Sequence, residues 1–221
     1  MSGDSGQALL YDKFYSRDGM DNSSFGSEPS KELRKLILMK FGKGRALDLG
    51  CGDGRNTLYL ALQGYNVTAV DSSSSAIDKL KGKIGKIKIG DRIKPICQDV
   101  RDYDFPDKKF NLAVAITLFD HLPEDDIERI FKNTVESMAD RAVLLAKVHT
   151  IDDPGANGDT EHASELANMV QHYFRRSEFY NLASKYLQVL DYKEVSEVDN
   201  THGKPHRHCF AILKGRKEDF E

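Results

Sequence analysis

The run Ala46-Leu47-Asp48-Leu49-Gly50-Cys51-Gly52-Asp53-Gly54-Arg55-Asn56 constrains this chain more than any other segment. Its apolar residues read as a short buried strand, Arg45 to Leu49, which leads straight into three glycines and then a helix. Glycine there permits a tight turn and lets a ligand lie against bare backbone. In open α/β sheets, ligands sit at the carboxyl ends of the strands, beside helix N-termini. The spacing is G-x-G-x-G followed by Arg55, not the G-x-G-x-x-G of a dinucleotide site, which disfavours a pyrophosphate on the helix terminus. Asp48 and Asp53 add negative charge at the same mouth, which suits a cationic ligand better. A second acid, Asp71, ends the next strand, where it can accept from both hydroxyls of a ribose.

Strand and helix patterns alternate around this loop. Helices are expected from about Ser30 (Leu33, Leu36 and Ile37 on one face), over Thr57 to Gln63 (Leu58, Ala61 and Leu62 inward), over Ser75 to Lys83 (Ile77 and Leu80 inward), and over Glu124 to Met138 (Ile127, Ile130, Phe131 and Val135 inward). Strands are expected over Asn66 to Val70, Ile93 to Gln98, Phe110 to Ile116 and Arg141 to Val148. Such alternation implies βαβ units and a mostly parallel, doubly wound sheet with helices on both faces. After a polar loop, His149 to Glu161, a helical pattern resumes in residues 164–186, with Phe179, Leu182, Ala183 and Tyr186 on one face. Two strand-like runs, Val189 to Val198 and Arg207 to Leu213, flank the turn-rich Asn200-Thr201-His202-Gly203 and predict an antiparallel hairpin at the sheet edge. The expected sheet has about seven strands.

Composition narrows the function classes. The 32 basic and 35 acidic residues leave a net charge of −3, whereas a protein that neutralises phosphates is usually basic, so a nucleic-acid partner is disfavoured. The run Lys79, Lys81, Lys83, Lys86, Lys88, Arg92 and Lys94 lacks interleaved aromatics and reads as a solvated face. No apolar run approaches the ~20 residues of a membrane-spanning helix. The segment Met1 to Gly6 has neither the basic patch nor the apolar stretch of a signal peptide. Cys51, Cys97 and Cys209 share no metal-type spacing and read as reduced thiols, so the expected compartment is the cytoplasm.

Three motifs carry a family resemblance. ALDLGCGDGRN followed by NVTAVDSS resembles the first two motifs of the class I S-adenosylmethionine (SAM) dependent methyltransferases, and Cys97-Gln98-Asp99-Val100 resembles the third. The resemblance spans about residues 30–214 and implies a three-layer Rossmann-like fold, with SAM as cofactor and S-adenosylhomocysteine as product. It implies that Gly50, Cys51, Gly52, Gly54, Arg55 and Asn56 pack around the methionine part of SAM, with Asp48 near its amino group. Asp71 would hold the ribose and Ser72 would flank the adenine. Asp99 would meet the adenine amino group and Val100 its face. Thr117 and Leu118 would floor the methyl-transfer site.

The end of the fourth strand, Thr117-Leu118-Phe119-Asp120-His121, lacks the Asn/Asp-Pro-Pro-aromatic run of enzymes that methylate exocyclic base amines or glutamine amides. No Pro-Cys nucleophile of cytosine-C5 enzymes occurs either. Tyr11-Asp12-Lys13-Phe14-Tyr15, GDGRNTLYLALQGYNVTAVD and Gly203-Lys204-Pro205-His206-Arg207-His208 are together similar to the tellurite-resistance (TehB-type) group of small cytoplasmic methyltransferases, which implies a small, soft acceptor. Methyl transfer is an in-line displacement in which the protein aligns the reactants and excludes water. An oxygen or amine acceptor would want a base, and His121 is the nearest candidate.

Two segments are expected to complete the site. Residues 1–26, with aromatics but no helical or alternating pattern, are expected to form a lid distinct from the 27–221 domain, with Tyr11 over SAM and Tyr15 over the acceptor. Arg175, His206 and His208 are expected at the acceptor pocket. His206 and His208 share a strand face, but a metal needs a third ligand and a fixed surrounding shell, so no metal is expected. The competing readings are a nicotinamide-dependent oxidoreductase, opposed by G-x-G-x-G, and a SAM-binding protein without catalysis.

Overall fold

In a computed structural model of the chain, the described residues are 5–16, 26–38, 43–156, 161–163, 170–199 and 206–218, with the side chains of 5–8, 161–163, 170, 199 and 206 outside that description. The strands are β1 (Arg45–Leu49), β2 (Asn66–Asp71), β3 (Ile93–Cys97), β4 (Phe110–Ile116), β5 (Met138–His149), β6 (Glu161–Ala163), β7 (Val170–His172), β8 (Gln188–Asp199) and β9 (His206–Arg216). The helices are α1 (Ser5–Ser16), α2 (Lys31–Leu38), α3 (Arg55–Leu62), α4 (Ser74–Ile84), α5 (Glu124–Glu136) and α6 (Glu178–Ser184). Seven strands form one sheet in the order β3-β2-β1-β4-β5-β9-β8. β1 to β5 pair in parallel, and β9 runs antiparallel between β5 and β8. β6 and β7 make a separate two-stranded sheet.

Alternation along the strands separates two cores. Leu47, Leu49, Ala113, Ala115, Leu144, Ala146 and Val148 pack with Ile127, Ile130, Phe131 and Val135 of α5 and with Phe179 and Leu182 of α6. Their neighbours Ala46, Leu112, Val114, Val143 and Leu145 face the other way, against Leu33 and Leu36 of α2 and Leu60 and Ala61 of α3. Period two in the strands thus feeds two helical layers, which makes the three-layer α/β fold. Strand order reverses between β1 and β4, so the crevice of a doubly wound sheet opens at the carboxyl ends of these two strands.

Four local expectations change. Residues 5–16 form a helix rather than an irregular segment; Asp12 fastens it to α4, a tertiary contact that its own apolar pattern does not announce. α3 starts at Arg55, so its inward positions are Asn56, Thr57, Leu60 and Ala61, and Leu62 is 67% exposed. Within the expected helix 164–186, residues 170–172 are strand β7 and the helix among the described residues is Glu178–Ser184, while residues 164–169 lie outside the described residues. The lysine run is not wholly solvated: Lys79 is buried and Lys83 pairs with Asp53. The turn Asn200 to Gly203 and residues 17–25 lie outside the described residues.

Candidate active site

The glycine loop joins β1 to α3 and is held from the next strand. Cys51 N donates to Val70 O at 3.1 Å. Gly52 N donates to Asp71 Oδ2 at 2.8 Å, and Ser73 N donates to Asp71 Oδ1 at 2.9 Å. Gly52 has φ +54°, and a Cβ there would lie 2.4 Å from Tyr15 Oη, so both backbone and space demand glycine. Gly54, at φ +92°, caps α3. Asp71 thus ties the glycine loop, through Gly52 N, to the start of α4, through Ser73 N.

The acids divide by their partners. Burial pushes the Asp71 carboxyl up to about 6, against the amides of Ser73 and Gly52 that pull it down and with Asp12 and Asp53 adding to the rise. Asp48 is 1% exposed and accepts from Thr57 Oγ1 at 2.6 Å; burial pushes it up to about 7. Asp48 is not among the cavity-lining residues, so it braces the loop from below instead of facing a ligand there. Lys83 Nζ sits 3.1 Å from Asp53 Oδ2 and donates to Asp53 O at 3.0 Å. That pairing offsets the charge of Asp53 and leaves Asp71 as the principal acid of the mouth. Arg101 donates through Nε and Nη2 to the two oxygens of Asp99, at 2.9 and 2.5 Å. A carboxylate has about four lone-pair sites, so this fork still leaves Asp99 able to accept from a ligand.

The ends of β3 and β4 and the helix α1 close a single cavity around this loop. Tyr11, Tyr15, Gly50, Cys51, Gly52, Arg55, Asn56, Asp71, Ser72, Asp99, Val100, Thr117 and His121 all line it, and Leu118 joins them. Thr117 holds φ +53° while its N donates to Lys147 O at 2.8 Å. Such strain in a non-glycine residue persists only where its surroundings impose it, and it concentrates at functional sites.

α1 forms the roof. The Asp12 carboxylate accepts from Ser73 Oγ at 2.7 Å, Ser74 Oγ at 2.9 Å and Ser75 N at 2.9 Å, at the N-terminus of α4. Burial pushes the Asp12 carboxyl up, but these hydrogen bonds outweigh it and hold it below the usual range. The Tyr11 ring meets His121 edge-on, with centroids 5.5 Å apart, and the buried Tyr11 hydroxyl makes no hydrogen bond among the described residues. Burial, then the charges of Asp120 and Asp71, drive the Tyr11 phenol well above its ordinary value, so it stays a donor. Burial lowers the His121 pKa although Asp120 opposes it, so the imidazole is neutral near pH 7.

Besides Asp48, three expected site residues lie elsewhere. Arg175 is exposed, and its backbone N donates to Glu178 Oε2 at 2.7 Å. His208 is outside the cavity, with Nδ1 2.9 Å from Asp153 Oδ2. Gly54 shapes the helix start without lining the cavity. The His206 side chain lies outside the described residues. Gln98, Arg101 and Leu122 line the cavity although the sequence did not single them out for it; Gln98 and Arg101 flank Asp99, and Leu122 follows His121. That adjacency was the only signal.

The methyltransferase-domain family matches residues 46–141, from the start of the glycine strand through β4 and α5. That segment, with the three motifs it carries, resembles the class I SAM-dependent methyltransferases. Relatives of this family place it further. TehB of Haemophilus influenzae, named a probable S-adenosyl-L-methionine-dependent methyltransferase, is 28% identical over 179 residues, 79% of this chain and 57% of that protein. The 2-heptyl-1-hydroxyquinolin-4(1H)-one methyltransferase of Mycobacteroides abscessus is 28% identical over 121 residues, 55% of this chain and 53% of that protein. The chain therefore spans little more than half the length of these curated relatives. The crystal structure of H. influenzae TehB superposes with a TM-score of 0.69 at 21% identity, covering 95% of this chain and 67% of that one. The 1,6-didemethyltoxoflavin-N1-methyltransferase of Burkholderia thailandensis, solved with its substrate and S-adenosylhomocysteine, gives 0.68 at 19% identity, covering 97% and 85%. At these identities the structural likeness speaks for the fold.

Proposed function

We propose that the protein binds SAM at the glycine loop and transfers its methyl group to a small molecule held beneath α1. The observation that carries this reading is the convergence, in one cavity, of the bare backbone at Gly52, the Asp71 carboxylate, and the Tyr11 hydroxyl and His121 imidazole. SAM supplies an electrophilic methyl on a sulfonium. Asp71, the acid of the mouth not offset by an adjacent base, accepts from the ribose hydroxyls and favours the positive charge. Asp99 and Val100 hold the adenine at the end of β3. Tyr11, kept protonated, donates to an oxygen of SAM or of the acceptor. Thr117 and Leu118 set the floor along which the acceptor approaches in line.

His121 fixes what the acceptor must provide. A soft anion, such as a thiolate or a selenium or tellurium species, is already nucleophilic and needs no proton removed. A phenol or amine gives its proton to the neutral imidazole, where Asp120 then stabilises the cation. The resemblance of the sequence motifs to the tellurite-resistance group supports a soft acceptor; the names of the quinolone and toxoflavin enzymes support including hydroxylated and nitrogen heterocycles. Residues 5–16 serve as a lid fastened by Asp12 that excludes water during transfer.

The test has two parts. A thermal-shift comparison should show stabilisation by SAM and none by NAD. An acceptor screen reading S-adenosylhomocysteine release should cover thiols, selenite, tellurite, phenols and heterocyclic amines, with turnover expected in at least one class. SAM binding without any product would return the protein to the class of SAM-binding proteins.

A further inference from the structure

A cluster outside the cavity carries chemistry that the proposed methyl transfer does not use. His149 ends β5, Asp153 lies in the turn that follows, and His208 stands near the start of β9. One ring nitrogen of each histidine and one carboxylate oxygen of Asp153 lie within 4.8 Å of one another. The site is enclosed, with side-chain exposures of 12% for His149, 21% for His208 and 2% for Asp153. The aromatic rings of Tyr173 and Phe210 pack against His149.

We propose that His149, Asp153 and His208 bind a divalent transition-metal ion that prefers imidazole, Zn²⁺ foremost. Two observations support it. Donor type is the first: two imidazoles and one carboxylate form the set that holds zinc and related ions with open positions, whereas Mg²⁺ and Ca²⁺ favour oxygen alone. The second is the surrounding shell. Asp120, fully buried, sits 2.5 Å from His149 Nδ1, which fixes the ring and leaves Nε2 as the ligating nitrogen. Asp153 is itself oriented by Gly155 N at 2.8 Å and Cys209 N at 2.7 Å. His208 Nδ1 and Asp153 Oδ2 stand 2.9 Å apart, close to the ~3.0 Å edge between neighbouring ligands at zinc distances.

The experiment uses the full chain after chelator treatment and dialysis, titrated with Zn²⁺ against a competing chromophoric chelator. The expected result is one ion per chain. His208→Ala should weaken binding by at least ~10-fold, and Asp120→Asn by ~10–100-fold through loss of the ring's orientation. Circular dichroism confirms that each variant is folded. If His208→Ala fails to fold, the Co²⁺ spectrum of the unaltered protein still decides: four- or five-coordinate d–d bands without a thiolate charge-transfer band support this donor set. Absence of stoichiometric binding, unchanged affinity in folded His208→Ala, or a charge-transfer band from neighbouring Cys209 would each overturn the proposal. None of these readouts depends on SAM or on turnover.

Discussion

Asp71→Asn, measured as a function of pH, probes the cofactor reading most directly. In the unaltered protein the carboxyl ionises at about 6, because burial and the charges of Asp12 and Asp53 outweigh the two amides that favour its charged form. The ionised form is the one that accepts from ribose and attracts a sulfonium. At pH 5, one unit below that value, only about a tenth of the protein carries it, so SAM should bind ~10-fold more weakly than near pH 7.5, a difference of about 1.4 kcal/mol. Asparagine cannot ionise, and its amide faces one of two backbone donors, Gly52 N or Ser73 N, that now lack an acceptor. Removing one hydrogen bond to a charged group costs ~1.5–3 kcal/mol, so near pH 7.5 the variant should bind ~10- to 150-fold more weakly. Asp48, which ionises at about 7 beneath the loop, is present in both proteins, and in the variant it loses the upward push of the Asp71 charge. The difference between the two affinity profiles therefore reports Asp71 together with its effect on Asp48. Isothermal titration calorimetry with SAM across pH 5 to 8 reads it out. Parallel profiles, or equal affinity near neutral pH, would refute the assignment of Asp71.

Other outcomes follow from the same geometry. Asp48 and Asp71 both ionise above an unfolded carboxyl, so the folded state holds more protons between about pH 4 and 7; their contribution to stability is greatest below pH 4 and is lost as pH rises to 7, which thermal melts of the ligand-free protein should show. Gly52→Val forces a β-branched residue to φ +54° and drives its Cβ into Tyr15 Oη; SAM binding should be lost and the melting temperature should fall, as differential scanning fluorimetry would report. Lys83→Met removes the cation 3.1 Å from the buried Asp53 carboxylate, and urea unfolding should register a loss of ~3 kcal/mol. His121→Gln should lower kcat by ~100-fold for a phenol or amine acceptor while SAM affinity stays nearly constant; an unchanged kcat with such an acceptor would remove His121 from the chemistry.

The sheet and the glycine loop were legible because their signals are local. Short apolar runs set β1 to β4, and Gly50, Gly52 and Gly54 stand where the backbone turns. What escaped depends on distant partners. α1 has no strong apolar stripe and owes its place to the bonds between Asp12 and Ser73, Ser74 and Ser75, more than sixty residues away. The charge of Asp53 looked available until Lys83, from a run read as solvent-facing, proved to be its partner. His208 was visible as half of a pair with His206, whereas its neighbours in space are His149 and Asp153, each more than fifty residues away. Helix phase failed at α3 by the shift of its start to Arg55, which exchanged Leu60 for Leu62 as the buried leucine.

The insertion of β9 between β5 and β8 sets a schedule for synthesis. Five parallel strands can assemble as the chain leaves the ribosome, but β5 then presents an unsatisfied row of amides and carbonyls until a segment some sixty residues later arrives. β8, made before β9, has no place to pair until β9 exists. The half of the sheet that carries the glycine loop is thus complete well before the half that flanks it. During that interval the open edge of β5 is the part of the nascent protein most exposed to pairing with another chain.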